Sequence, residues 1–211
     1  MIVIDDAVVN MLKGDTGVVE ISGLPDSGVT SASIKLIDEL IREEKDVCAA
    51  AMFSSTNTPN LEYLSRLIPS NLKDRFIMLQ YEPYSTDFFI LTIKRFGPNI
   101  SYWLIDDFYN LMLYKNYTFI RDFLKGLKLL SKQLGITVFI VNQYRYILPG
   151  AGYEFIGDAP TKSLYIEHIS PFLCMRLKVQ KDKNNNITLN LMEKQKEKSP
   201  DSFLKLLNSL E

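Results

Sequence analysis

The sequence predicts an α/β protein: a single domain over residues 1–211 with a mainly parallel, twisted sheet, helices on its flanks and an antiparallel hairpin added at one edge. Three observations lead to this. Short runs rich in valine and isoleucine alternate with segments of helical periodicity, as βαβ units require. A glycine-bracketed loop stands between the first strong apolar run and the first long periodic segment. Two alternating runs within Leu173 to Met192 flank the turn Asn184-Asn185-Asn186, the pattern of a hairpin.

Taken in order, Asp6 to Gly14 precedes the first clear apolar run. Gly17 to Ser22 is a strand that ends at Gly23, and after the loop Gly23 to Gly28 a helix covers Thr30 to Glu43, with Ile34, Ile37, Leu40 and Ile41 at helical spacing. Val47 to Phe53 is a buried strand, and Asn60 to Ile68 a helix stopped by Pro69. Phe76 to Leu79 is a strand, and Asp87 to Arg95 a helix expected to carry Phe88, Leu91 and Phe96 inward. Tyr102 to Ile105 is a strand closed by a carboxylate pair. An amphipathic helix from Thr118 to Leu134 stops at Gly135, and the apolar strand Ile136 to Val141 follows. Phe203 to Leu210 reads as a short helix.

Composition narrows the function. With 46% apolar residues the chain can fill one sizeable core, and its net charge of −1 gives no global field to draw it onto nucleic acid or membrane, so any such contact is local. Cys48 and Cys174 lie in apolar surroundings without metal-ligand spacing and read as reduced core residues. The acidic start MIVIDD is unlike a signal peptide, and no apolar run approaches the ~18 residues of a membrane span; a soluble cytoplasmic protein is expected.

Two segments carry chemistry. Gly23-Leu-Pro-Asp26-Ser27-Gly28-Val29-Thr30 fits the Walker A frame at both glycines and at the final threonine, but valine stands at the lysine position. Such a loop turns backbone N–H groups toward phosphate oxygens at a helix N-terminus. Val29 supplies no cation to a β/γ-phosphate and Asp26 adds a negative charge, so triphosphate affinity is expected to fall. The same octapeptide also reads as a tight strand-to-helix turn. Asp106, after the apolar run Tyr-Trp-Leu-Ile, stands where a Walker B aspartate would hold Mg²⁺ through water, with Thr30 as the other metal-side group; a strand-end cap is the alternative. The distance between the two segments fits three intervening strands, and both are expected at the carboxyl ends of adjacent or near-adjacent strands.

On these segments, on Asp6 to Gly14, which matches the short helix and glycine turn with which the family opens, and on the strand end Thr137-Val-Phe-Ile-Val-Asn142-Gln143, the chain resembles the RecA/RadA recombinase core, in particular the short archaeal RadA paralogues of RadB and RadC type, from about Asp5 to Glu193. The resemblance implies a RecA-like P-loop core. It also implies that Gln143 senses nucleotide state and leads into a DNA-contacting loop, in which Tyr144, Arg145 and Tyr146 could stack bases and touch phosphate. An ordinary strand-end amide is the plainer reading of Gln143.

The chain departs from that pattern twice. Beyond the missing lysine, the family's catalytic glutamate has no counterpart in Ser54 to Thr58, and Glu62 sits too far along to activate water. Charge stabilisation and water activation weaken together, so ATP with Mg²⁺ is expected to bind weakly or not at all and hydrolysis to be negligible. The basic residues Lys115, Arg121, Lys125, Lys128 and Lys132 are read as a solvated helix face, and His168 as structural. The expected role is an accessory paralogue in homologous recombination and DNA repair, partnered with a RecA-family recombinase or another paralogue, with DNA contacted weakly or within the complex. A nucleotide switch or slow ATPase, and a RecA-fold regulator of the clock or archaellum-motor type, are the alternatives.

Overall fold

The computed structural model describes residues 1–42, 50–55, 65–81, 86–106, 108, 111, 116–146, 161–163 and 169–194. Its strands are β1 (Ile2–Ile4), β2 (Gly17–Gly23), β3 (Ala50–Ser55), β4 (Phe76–Tyr81), β5 (Tyr102–Ile105), β6 (Thr137–Tyr146), β7 (Thr161–Ser163), β8 (Met175–Lys181) and β9 (Ile187–Lys194). Its helices are α1 (Asp6–Leu12), α2 (Val29–Arg42), α3 (Thr86–Phe96) and α4 (Tyr117–Leu134). Eight strands lie in the order β1-β9-β8-β2-β6-β5-β3-β4, and β7 pairs with the far end of β6. Every pairing is parallel except β8 with β9 and β6 with β7.

Alternation along the strands supplies two cores. Val19 and Ile21, Met52, Leu104, Phe139 and Val141 face α2, where Ile34, Ile37, Leu40 and Ile41 complete one apolar layer. Val18, Ala51 and Phe53, Trp103 and Ile105, Val138 and Ile140 face α3 and α4. Strands covered on both faces therefore read as continuous apolar runs, and β2, at the middle of the sheet, is buried at all seven positions. Local chemistry sets the helix ends. Asn116 Oδ1 accepts from the Phe119 N–H to open α4, and Gly135 closes it in the left-handed region at φ 68°.

Three expectations need correction. On α3, Phe88 packs partly buried against the second core as expected, but Leu91 is 63% and Phe96 46% exposed, and the fully buried side chains are Phe89 and Ile93. The run Phe-Phe-Ile-Leu is apolar at four successive positions, so its periodicity selects no face; packing does, through Phe89 edge-on to Phe53 at 4.8 Å and to Phe123 at 5.6 Å. The β8–β9 hairpin forms around its asparagine turn, with Asn185 at φ 61°, but it is not the margin of the sheet. β1 pairs in parallel outside β9, and Ile187 N–H donates to Met1 O at 2.8 Å. Three apolar residues before an aspartate pair are too short a run to stand out as a strand. Finally, two strands, β3 and β4, separate the glycine loop from β5 along the described chain, where three were expected.

Cys174 is half-buried against the first core; its thiol donates to Val18 O at 3.3 Å. Cys48, His168, Glu62, Lys115 and the segment Phe203 to Leu210 lie outside the described residues. No helix among the described residues is long and apolar enough to cross a membrane.

Candidate functional site

The loop between β2 and α2 is shaped by close approach. Gly23 pairs with Gln143 on one side and Val179 on the other, and a β-carbon there would stand 2.5 Å from Ser27 Oγ, 2.8 Å from Val29 Cγ2 and 3.0 Å from Val179 O. Only glycine fits. The loop turns through Ser27 N–H to Leu24 O at 3.1 Å, with Asp26 in the left-handed region at φ 59° and Gly28 at φ 82°. Ala32 N–H donates to Gly28 O at 2.9 Å as the first helical bond. The first-turn N–H groups of Val29, Thr30 and Ser31 therefore have no acceptor within the helix and mark its positive end.

Thr30, in this first turn, meets the end of β5. Its hydroxyl donates to Asp106 Oδ1 at 2.9 Å, and Asp106 is 1% exposed. β2 and β5 are separated in the sheet by β6 alone, so the glycine loop, Asp106 and the β6 residue Gln143 converge at one carboxyl edge. A cleft of about 290 Å³ opens there, lined by Leu24, Pro25, Asp26, Gly28, Val29, Thr30, Ser31, Val141, Asn142 and Gln143. It is slightly smaller than the ~300–1,000 Å³ usual for ligand sites. No Lys or Arg is among these lining residues.

Of the residues expected from sequence, Asp26, Gly28, Val29, Thr30 and Gln143 line the cleft. Gly23 and Ser27 form its supporting loop, and Asp106 sits behind Thr30. Val29 is 8% exposed and packs in the core between α2 and the sheet, so the position where a Walker A frame expects lysine is a packing position here. Ser27 Oγ is buried with no hydrogen-bond partner among the described residues. Tyr144, Arg145 and Tyr146, expected in a loop beyond the strand end at Gln143, instead continue β6, their backbone antiparallel to Thr161–Ser163, because that pairing extends the strand; residues 147–160 lie outside the described residues. The position expected for a catalytic glutamate falls partly on the backbone of β3 and otherwise outside them.

Sequence reasoning missed Glu20. It is wholly buried in β2, accepting from Asn142 Nδ2 and from Arg176 Nε, each at 2.8 Å. A charged residue inside an apolar strand run was the available signal, because a buried carboxylate demands partners.

What the cleft offers a ligand is backbone amides and the Thr30 hydroxyl, without a side-chain cation. Thr30 uses its one proton on Asp106 and keeps oxygen lone pairs for a metal, and the α2 N-terminus offers amides to phosphate oxygens. The charge that a lysine would bring has no described substitute in the lining. No protein-family model matches the chain, and no curated protein matches it. The fold and the site define an α/β protein with a mostly parallel sheet and a cleft at the carboxyl edge of its strands.

Proposed function

We propose that this chain is a RecA-type accessory subunit: a recombinase paralogue with a degenerate nucleotide site that joins a RecA-family recombinase or another paralogue and tunes its action in DNA repair. The observation that carries the reading is the hydrogen bond from Thr30 to Asp106, which joins a Walker A-like loop to a Walker B-like strand end across β6. Gln143 at the same edge adds to it. Thr30 and Asp106 would hold Mg²⁺, which when bound neutralises phosphate charge, while the amides at the start of α2 would face the phosphate. The buried Val29 argues against efficient turnover, since it leaves that charge without a lysine.

A subunit that has lost catalysis can still present this edge to an active neighbour. With a net charge of −1 the chain has little means of neutralising phosphates along DNA by itself, so DNA contact, through Tyr144, Arg145 and Tyr146, is proposed within the complex. The test is co-purification with recombinase-family proteins from the native cell, followed by DNA binding of the complex at two salt concentrations with Arg145→Ala. Association and a reduced salt slope are expected. No association with any such protein, together with an unchanged slope, would overturn the proposal in favour of a regulator acting without DNA.

A further inference from the structure

A buried carboxylate in the middle strand of a sheet is costly unless its charge and hydrogen bonds are satisfied. Glu20, 0% exposed, is held from both sides by neighbouring strands. From β8, Arg176 Nε donates to Oε2 at 2.8 Å, and Arg176 stands directly opposite Glu20 in the ladder. From β6, Asn142 Nδ2 donates to Oε1, also at 2.8 Å. Both ends of the network continue. The Asn142 carboxamide turns its Oδ1 to accept the Gln143 N–H at 2.9 Å, and Asn142 and Gln143 both line the cleft. At the other end, Arg176 Nη1 donates to Glu193 Oε2 at 3.3 Å, and Glu193 is about half exposed on β9.

The β9 partner is placed by an irregularity. Opposite Arg176 and Leu177 stand Glu193 and Leu191, so Met192 is the extra residue of a bulge. The bulge leaves Leu191 and Met192 exposed beside the surface end of the network. Hydrogen bonds, charged except at the last link, therefore run from the outer hairpin strand, through the middle of the sheet, to the point on β6 that carries Gln143.

We propose that Glu20 is a positioning residue for the cleft: acting through Asn142 it fixes the Gln143 backbone, and the Arg176–Glu193 pair couples that geometry to the bulged surface of β9. A partner that engages Glu193 would change how firmly Arg176 holds Glu20, and through it the Asn142 carboxamide. The proposal does not depend on what occupies the cleft.

Spatial continuity alone does not demonstrate coupling, so the test is a double-mutant cycle on the full chain, read by NMR hydrogen exchange at the Gln143 amide. Glu193→Gln alters only the exposed end and keeps the fold. It is expected to speed Gln143 exchange about threefold while the Val141 amide stays unchanged. In a Glu20→Gln background the Glu193→Gln effect is expected to vanish; if that variant does not fold, Asn142→Ala serves as the background. An unchanged Gln143 rate in Glu193→Gln, or the same increase in both backgrounds, would overturn the proposal. Parallel acceleration at Val141 would also overturn it, showing general loosening in place of a directed link.

Discussion

Gly28 and Ile187 touch so closely that a β-carbon on the glycine would stand 2.5 Å from Ile187 Cδ1. The loop at the head of α2 is thus supported by the start of β9, and Gly28 also needs its left-handed φ of 82°. Gly28→Ala is expected to lower stability by about 2–4 kcal/mol, combining conformational strain with overpacking. Adding Ile187→Ala should relieve the contact and leave the backbone strain, so the two changes are less than additive in a urea-denaturation cycle. Simple additivity would mean that the loop does not rest on β9.

Thr30→Val tests the bond to Asp106. The isosteric change removes one donor from a buried carboxylate, and about 1.5–3 kcal/mol of stability is expected to disappear. The loss should be smaller in an Asp106→Asn background, where the carboxylate charge is already gone. An equal loss in both backgrounds would show that the hydroxyl serves something else.

Val29→Lys tests the proposed nucleotide reading, which lacks a lysine at this position. Because Val29 is a core residue, the lysine must run its stem along the apolar wall and carry its ammonium into the cleft, at a cost of about 1–3 kcal/mol in stability. Affinity for a fluorescent ATP analogue is expected to rise while turnover stays negligible. A gain in turnover matching the gain in affinity would place a catalytic base that has been overlooked.

Acid exposes a second charged cluster. Asp38 on α2, 1% exposed, accepts from Lys35 at 3.1 Å, Arg42 at 2.6 Å and Asn71 at 3.1 Å. Burial pushes its carboxyl up, but the hydrogen bonds from Asn71 and Lys35 and the charges of Lys35 and Arg42 outweigh this and hold it below its ordinary value of 3.8. The stabilisation is therefore present above about pH 3.8 and is lost as the pH falls through the lowered folded value. Asp38→Asn should cost about 2 kcal/mol at pH 7, and the gap to the parent protein should close in strong acid. A gap independent of pH down to pH 2 would contradict this.

Cys174 is expected to be sluggish toward thiol reagents. Burial first, and the nearby Asp15 carboxylate second, push its thiol up to about 11. In a Cys48→Ser background, alkylation at pH 8 should be about a hundredfold slower than for an ordinary exposed thiol. Rapid labelling would show that the segment before β8 opens readily.

Much of this arrangement was legible in the residues, and the failures have physical causes. Strands β2, β5 and β6 announce themselves because both faces are covered and the runs are continuously apolar, and Gly135 marks the end of α4 by its backbone need. The loop and Asp106 could be matched by motif, and their meeting at one sheet edge followed from strand parallelism. The face of α3 was not legible, because four consecutive apolar residues fit several rotations and only tertiary contact with Phe53 selects one. β1 was hidden by its length. The network around Glu20 was hidden because its members are scattered along the chain, and sequence spacing carries no information about a parallel ladder between distant segments.

The centre of the sheet also has a timetable. Glu20 meets Asn142 122 residues later in the chain and Arg176 156 residues later. At ~5–20 residues per second of synthesis, the ribosome holds β2 for about 8–30 s before its last neighbour emerges. Until then this nascent strand carries a carboxylate among valines and an isoleucine that only water and, once it has emerged, Asn142 can satisfy. The pairings that close the centre of the sheet join the two halves of the chain, so the charge of Glu20 stays in water until the later half is made.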